Sequence, residues 1–110
     1  MLRKLKKLNF VKPKPIQMQT IPIGMTKKDL VAIAPTGEGK TLAYLIPIMH
    51  FVFPFERLTP HNSGSGPYAI ILVPSRELAE QIVEEFHKIS FGEISAYRVV
   101  GGMQIDLQAI

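Results

Sequence analysis

Cysteine is absent from the 110 residues, so the chain has neither a disulfide framework nor a thiolate metal site, and an intracellular setting fits. Three histidines, His50, His61 and His87, have no spacing that would make them a ligand set. Acidic residues are missing before Asp29, whereas Arg3, Lys4, Lys6, Lys7, Lys12, Lys14, Lys27 and Lys28 precede it, so the first 28 residues carry +8. From Asp29 to Ile110 the charge is −4, which leaves a formal net charge of +4. The basicity is therefore local, and it suits nucleic acid, an acidic partner or a solvated tail. A long apolar run is lacking too: Leu42 to Phe55 is broken by Pro47, His50 and Pro54 and is too short to span a bilayer. The start has no secretory apolar region, and the transit-peptide spacing of Leu2, Leu5 and Leu8 comes without serine. These absences favour a soluble chain with no membrane partner.

What is present is the balance of one small domain, 46% hydrophobic and 20% charged. Met1 to Lys14 reads as an irregular basic lead-in, after which Pro15 stands where a helix can begin without losing a hydrogen bond. A short helix from Pro15 to Ile21 is expected, ended by Pro22 and Gly24. Asp29 to Ala34 is a continuous apolar run of strand length, the pattern of a strand buried on both faces. Lys40 to Phe53, apolar all round and kinked at Pro47, reads as a helix packed into a core. Tyr44, Met49, Phe51 and Phe53 are expected in that core, with Met18, Met25 and Met103 filling gaps.

Pro54 to Pro67, centred on Ser63-Gly-Ser-Gly66, reads as a surface loop. Tyr68 to Val73 is a second buried strand, and Ser75 can cap a helix from Arg76 to Ile89. That helix places Leu78, Ile82, Phe86 and Ile89 on one face and turns Glu80, Glu84 and Glu85 to water. Ser95 to Val100 is a third strand, Gly101-Gly102 a turn, and Met103 to Ile110 the opening of another helix. Strand, helix, strand, helix, strand predicts an α/β fold with a parallel sheet and flanking helices. Three strands cover such a sheet poorly, so the chain reads as a piece of a larger domain whose isolated form should self-associate.

Ala34-Pro-Thr-Gly-Glu-Gly-Lys-Thr41 lies between the first strand and the long helix, the context of a phosphate-binding P-loop. In such a loop the N–H groups of Gly37, Glu38, Gly39 and Lys40 surround a phosphate at the positive end of the helix dipole. Lys40 would reach the β- and γ-phosphates, Thr41 would ligate Mg²⁺, and the Glu38 carboxylate would face solvent. A glycine-rich turn without ligand is the alternative, disfavoured by the Lys-Thr pair that follows.

Ala34 to Thr41 resembles motif I of the DEAD-box RNA helicases. Phe10 followed by Lys12-Pro-Lys-Pro-Ile-Gln17 resembles their Q motif, Pro74-Ser-Arg-Glu-Leu-Ala79 their motif Ia and Gly101-Gly102 their double glycine, in matching order. The resemblance implies a partial RecA-like P-loop domain: residues 1–14 a lead-in, residues 15–110 the first part of the N-terminal helicase domain. It implies ATP and Mg²⁺ as cofactors, with Phe10, Gln17, Thr36, Gly37, Glu38, Gly39, Lys40 and Thr41 at the nucleotide and Thr41 on the metal. Gln17 would pair with the adenine N6 amino group and N7, and Phe10 would lie against the base. It further implies that Pro74, Ser75 and Arg76 meet RNA phosphates, that Glu77 organises their loop, and that Gly101 and Gly102 let the backbone approach the strand. Taken without the resemblance, Gln17 reads as a capping or surface residue, Ser75 as a cap, and Arg76 as an i,i+4 partner of Glu80.

The chain departs from the family at Lys14, where threonine is usual and a capping hydroxyl is lost, and at Ser75, where serine keeps the threonine hydroxyl. Pro35 and Glu38 also stand where other residues are common. Ile21-Pro-Ile-Gly24 and Gly66 to Leu72 look most like the family's member of the U5 spliceosomal particle, which implies splicing proteins as partners and a nuclear location. The catalytic set is incomplete: the 110 residues hold no Asp-Glu-Ala-Asp box, Ser-Ala-Thr segment or arginine finger, and Glu93 and Asp106 lie outside any such pattern. An RNA helicase segment that depends on the remainder of the core is the expectation. The alternatives are a non-enzymatic nucleotide or RNA module, a truncated product, or another P-loop protein such as a small-molecule kinase.

Overall fold

In the computed structural model, residues 12–56, 64 and 66–102 are described. Phe10, most of the lead-in, most of the loop from Pro54 to Pro67, and Met103 to Ile110 lie outside the described residues. The chain divides into two compact units, Met1–Ala69 and Ile70–Ile110. Among the described residues three helices are formed: α1 Pro15–Met25, α2 Lys40–Val52 and α3 Arg76–Ser90.

In the first unit α1 starts at Pro15, behind an extended Lys14 with φ −78° and ψ 158°, the conformation that the residue before proline is driven to adopt. It does not stop at Ile21 but runs through Pro22 and Gly24 to Met25, against the expectation from those two breakers. Packing overrides them. A Cβ on Gly24 would stand 2.8 Å from Pro47 Cγ and 2.9 Å from its Cβ, so the bare glycine lets α1 lie directly on α2. The helix ends instead at Thr26 and Lys27, whose N–H groups return to Ile23 O and Gly24 O, with Lys27 left-handed at φ 59°.

Helix α2 contributes the unit's core through Leu42, Ala43, Leu45, Ile46 and Met49, of which Leu45 is completely buried. Its burial is one-sided rather than all round, and this corrects two assignments: Phe51 and Phe53 are exposed. Met18 and Met25 are exposed as well and fill no gap. Beyond the core, the Lys27 ammonium lies 4.8 Å from the Phe51 ring centroid, Phe51 is 5.3 Å from Phe55, and Phe55 stacks on Tyr68 at 4.7 Å.

The second unit is organised by α3. Ser75 caps it as expected, its Oγ accepting the Leu78 N–H at 3.2 Å. Ile82, Phe86 and Ile89 are buried along one face with Ser90. Left-handed Phe91 at φ 53° closes the helix, donating its N–H to His87 O. Glu84 faces water, whereas Glu80 and Glu85 are half-buried, Glu80 because it holds Arg98.

No strand is assigned among the described residues. Asp29 to Ala34, Tyr68 to Val73 and Ser95 to Val100 are therefore not strands there, and Val31, Ile33 and Leu72 are 90%, 91% and 90% exposed. The expected strands, buried on both faces, are thus not formed among the described residues. A parallel strand is held by hydrogen-bonded neighbours and by cover on both sides, and the exposure of Val31, Ile33 and Leu72 shows that cover is missing in the first two segments. No helix among the described residues is long and apolar enough to cross a membrane.

Candidate functional site

The loop from Ala34 to Thr41 enters α2 through two left-handed glycines, Gly37 at φ 81° and Gly39 at φ 78°. A Cβ at Gly37 would meet nothing within 4 Å, whereas one at Gly39 would strike the Gln17 amide and lie 3.1 Å from Lys14 Cδ. Gly39 is therefore the point where α1 closes on the loop. The Lys40 ammonium folds back to donate to Ala34 O at 2.5 Å, and Lys14 Nζ donates to Gly37 O. Glu38 turns its N–H to Pro35 O at 3.4 Å, so that donor faces its own loop and not an inward phosphate position as expected. Thr36 and Glu38 are exposed, in keeping with a solvent-facing Glu38. The Thr41 hydroxyl is hydrogen-bonded to Tyr44; burial pushes the Tyr44 phenol above 10.0, and the Thr41 bond partly offsets that rise.

Gln17 is buried, at 8% exposure, and both ends of its amide are engaged. Its Oε1 accepts the Lys14 N–H at 3.0 Å and its Nε2 donates to Gly39 O at 3.1 Å. The first bond is half of a capping box; Lys14, with no side-chain acceptor, cannot supply the other half. The capping role that the residue pattern favours is thus realised, together with a bond to the loop 22 residues away. An amide oxygen has two lone pairs and an amide nitrogen two hydrogens, so one of each is left over at Gln17.

In the second unit Arg76 Nη2 donates to Gly101 O, and a Cβ at Gly102, where φ is 82°, would lie 3.5 Å from the same nitrogen. The segment Pro74 to Glu77 and the double glycine therefore meet through Arg76. Its expected i,i+4 pairing with Glu80 does not form: Glu80 Oε1 accepts from Arg98 Nη1 instead. A guanidinium has five donors, so most of those of Arg76 remain for an anion. Pro74 to Glu77 are all exposed.

A family model described as DEAD/DEAH box helicase matches residues 14–109. The chain belongs to this family. Relatives of this helicase segment include the pre-mRNA-splicing ATP-dependent RNA helicase prp28 of Schizosaccharomyces pombe, 44% identical over 112 residues, with 99% of this chain and 17% of the relative aligned. The ATP-dependent RNA helicase ddx23 of Dictyostelium discoideum is 42% identical over 111 residues, spanning 98% of this chain and 13% of its own length. Among solved structures, the RNA-helicase Prp28 from Chaetomium thermophilum bound to ADP aligns with TM-score 0.81 and 35% identity, over 98% of this chain and 26% of that one. The neighbours share the RecA-like helicase fold, and the segment spans only a small part of each. Two contacts of the helicase segment went unforeseen in the sequence, Lys14 on the loop and Glu80 on Arg98. Both join residues 18 or more positions apart, and neither leaves a local pattern.

Proposed function

We propose that this chain is the ATP-binding and RNA-contacting segment of an ATP-dependent RNA helicase of pre-mRNA splicing, working in the nucleus with splicing proteins and the remainder of the helicase core. The observation that carries the reading is the loop at the start of α2, where the Lys40 ammonium rests on a main-chain carbonyl beside an open Gly37. A phosphate oxygen is a stronger acceptor for an ammonium than a neutral carbonyl, so Lys40 has reason to exchange one for the other. The ADP of the Chaetomium thermophilum neighbour and the splicing names of the relatives support the same reading.

In this proposal residues 15–110 are the first part of the N-terminal RecA-like domain, residues 1–14 lead into it, and the three apolar segments are strands of its parallel sheet. Thr36 to Thr41 hold the phosphates, and Phe10 lies against the base. Gln17 reads adenine with the lone pair and hydrogen its two protein bonds leave over. Residues 74–77 and 101–102 hold RNA phosphates, with Arg76 donating. No group of three or more His, Asp or Glu among the described residues could hold a metal. Mg²⁺ would accordingly take the Thr41 hydroxyl and otherwise phosphate oxygens and water, and it would neutralise charge on the transferring phosphoryl group. Hydrolysis needs the carboxylate box and arginine that the remainder of the core supplies.

The test is a titration of ATP, ADP and GTP. Lys40→Ala should abolish binding of all three, and the unmutated chain should prefer ATP to GTP. Equal binding of ATP and GTP removes the adenine role of Gln17, and binding that survives Lys40→Ala removes the phosphate loop.

A further inference from the structure

We propose that Lys14 is a second phosphate-binding cation of the loop, beside Lys40; this deepens the ATP-binding reading above and rests on it. The side chain has no work to do in its own helix. Lys14 is the N-cap of α1, a position that wants an acceptor, and an ammonium has none. Its main chain is served by Gln17, through the N–H to Oε1 bond and through the Gln17 and Met18 N–H groups that donate to Lys14 O. The stem is free to leave the helix, and it runs across Gly39, where an added Cβ would sit 3.1 Å from Lys14 Cδ. The ammonium then stops on Gly37 O, 23 residues along the chain.

Two lysines from different segments thus end on carbonyls of one loop, Lys14 on Gly37 and Lys40 on Ala34. Lys14 is exposed and forms no ion pair among the described residues. The only acid within Ala34 to Thr41 is Glu38, also exposed, so the loop with its two lysines carries an uncompensated positive charge. One of the three donors of the Lys14 ammonium is used by Gly37 O. The other two can take a phosphate oxygen without releasing it, so Lys14 can brace the loop and hold the anion together. The ligand class is a nucleoside di- or triphosphate, and the contact is charge on charge. It is therefore strengthened by the partial exclusion of water around a bound polyphosphate and weakened by salt.

The experiment measures dissociation constants of ATP and of inorganic tripolyphosphate across a salt series for the chain, Lys14→Gln and Lys14→Arg. Glutamine keeps a donor for the Gly37 carbonyl and removes the charge; arginine keeps both. Lys14→Gln should weaken both ligands about three- to tenfold at low salt and flatten the salt dependence, and Lys14→Arg should restore both. If Lys14→Gln binds both ligands like the unmutated chain, with the same salt dependence, Lys14 is no phosphate ligand, while loss of binding in Lys40→Ala still upholds the ATP-binding reading. A loss with Lys14→Gln that salt does not diminish makes Lys14 a loop brace only and overturns the proposal. Failure of the unmutated chain to bind either ligand overturns both readings.

Discussion

Tyr44 stands one turn after Thr41 in α2, half-buried, with its phenol raised above 10.0 chiefly by burial. The folded chain holds this proton more tightly than the unfolded chain does. Between the unfolded value near 10.0 and the higher folded value, the native state therefore binds more protons. The contribution is complete below pH 10 and is lost as pH rises through the folded value. Stability followed by denaturant unfolding should fall above pH 10 more steeply in the unmutated chain than in Tyr44→Phe. Absorbance at 295 nm, taken as the difference between the two, should place the missing ionisation above 10.0. A difference step at or below that value means the phenol is not desolvated. Gln17 shows how far residue-level reading reaches. Its capping bond was legible because a glutamine three residues after an N-cap has a local partner, but its bond to Gly39 was not, because only the packing of α1 beside the loop creates it.

Element starts were more legible than element ends. Pro15 and Ser75 announce α1 and α3 by local chemistry, and both helices begin where that chemistry says. The end of α1 was misread because Pro22 and Gly24 are breakers only until a neighbouring helix makes use of them. Gly24 gives a test in which two effects oppose each other. Alanine gains up to about 1 kcal/mol of helix propensity, but its Cβ would sit 2.8 Å from Pro47 Cγ, and overpacking of that kind typically costs about 1–3 kcal/mol. Packing should win, so Gly24→Ala should lower the thermal midpoint; a higher midpoint means α1 does not rest on Pro47. At Ser75, alanine should cost about 1 kcal/mol and glycine only a few tenths, because glycine is a tolerated N-cap. Circular dichroism during thermal unfolding separates the two, and equal losses would mean that the hydroxyl does not cap α3.

For the molecule as a whole, the hydrophobic pattern marked three apolar segments but could not say whether this chain pairs them. Helices α1 and α2 formed because they pack on each other within some forty residues of chain, α2 burying its apolar face, whereas a parallel strand depends on neighbours distant in sequence. In the described residues Val31, Ile33, Ile70, Leu72, Tyr97 and Val99 stay exposed, as unpaired apolar backbone that another strand can join. The net charge of +4 opposes association, but it is concentrated in the first 28 residues, away in sequence from all six positions. Apolar exposure should therefore dominate, and more so as salt screens the charge. Light scattering should show assemblies that grow with chain concentration and with salt. Val31→Lys together with Leu72→Lys should reduce them, since each places a charge at a position that is about nine-tenths exposed and costs the isolated chain little. A monomer that persists at high concentration and high salt would mean that the three segments are covered in solution, and it would restore the buried-strand expectation for this chain.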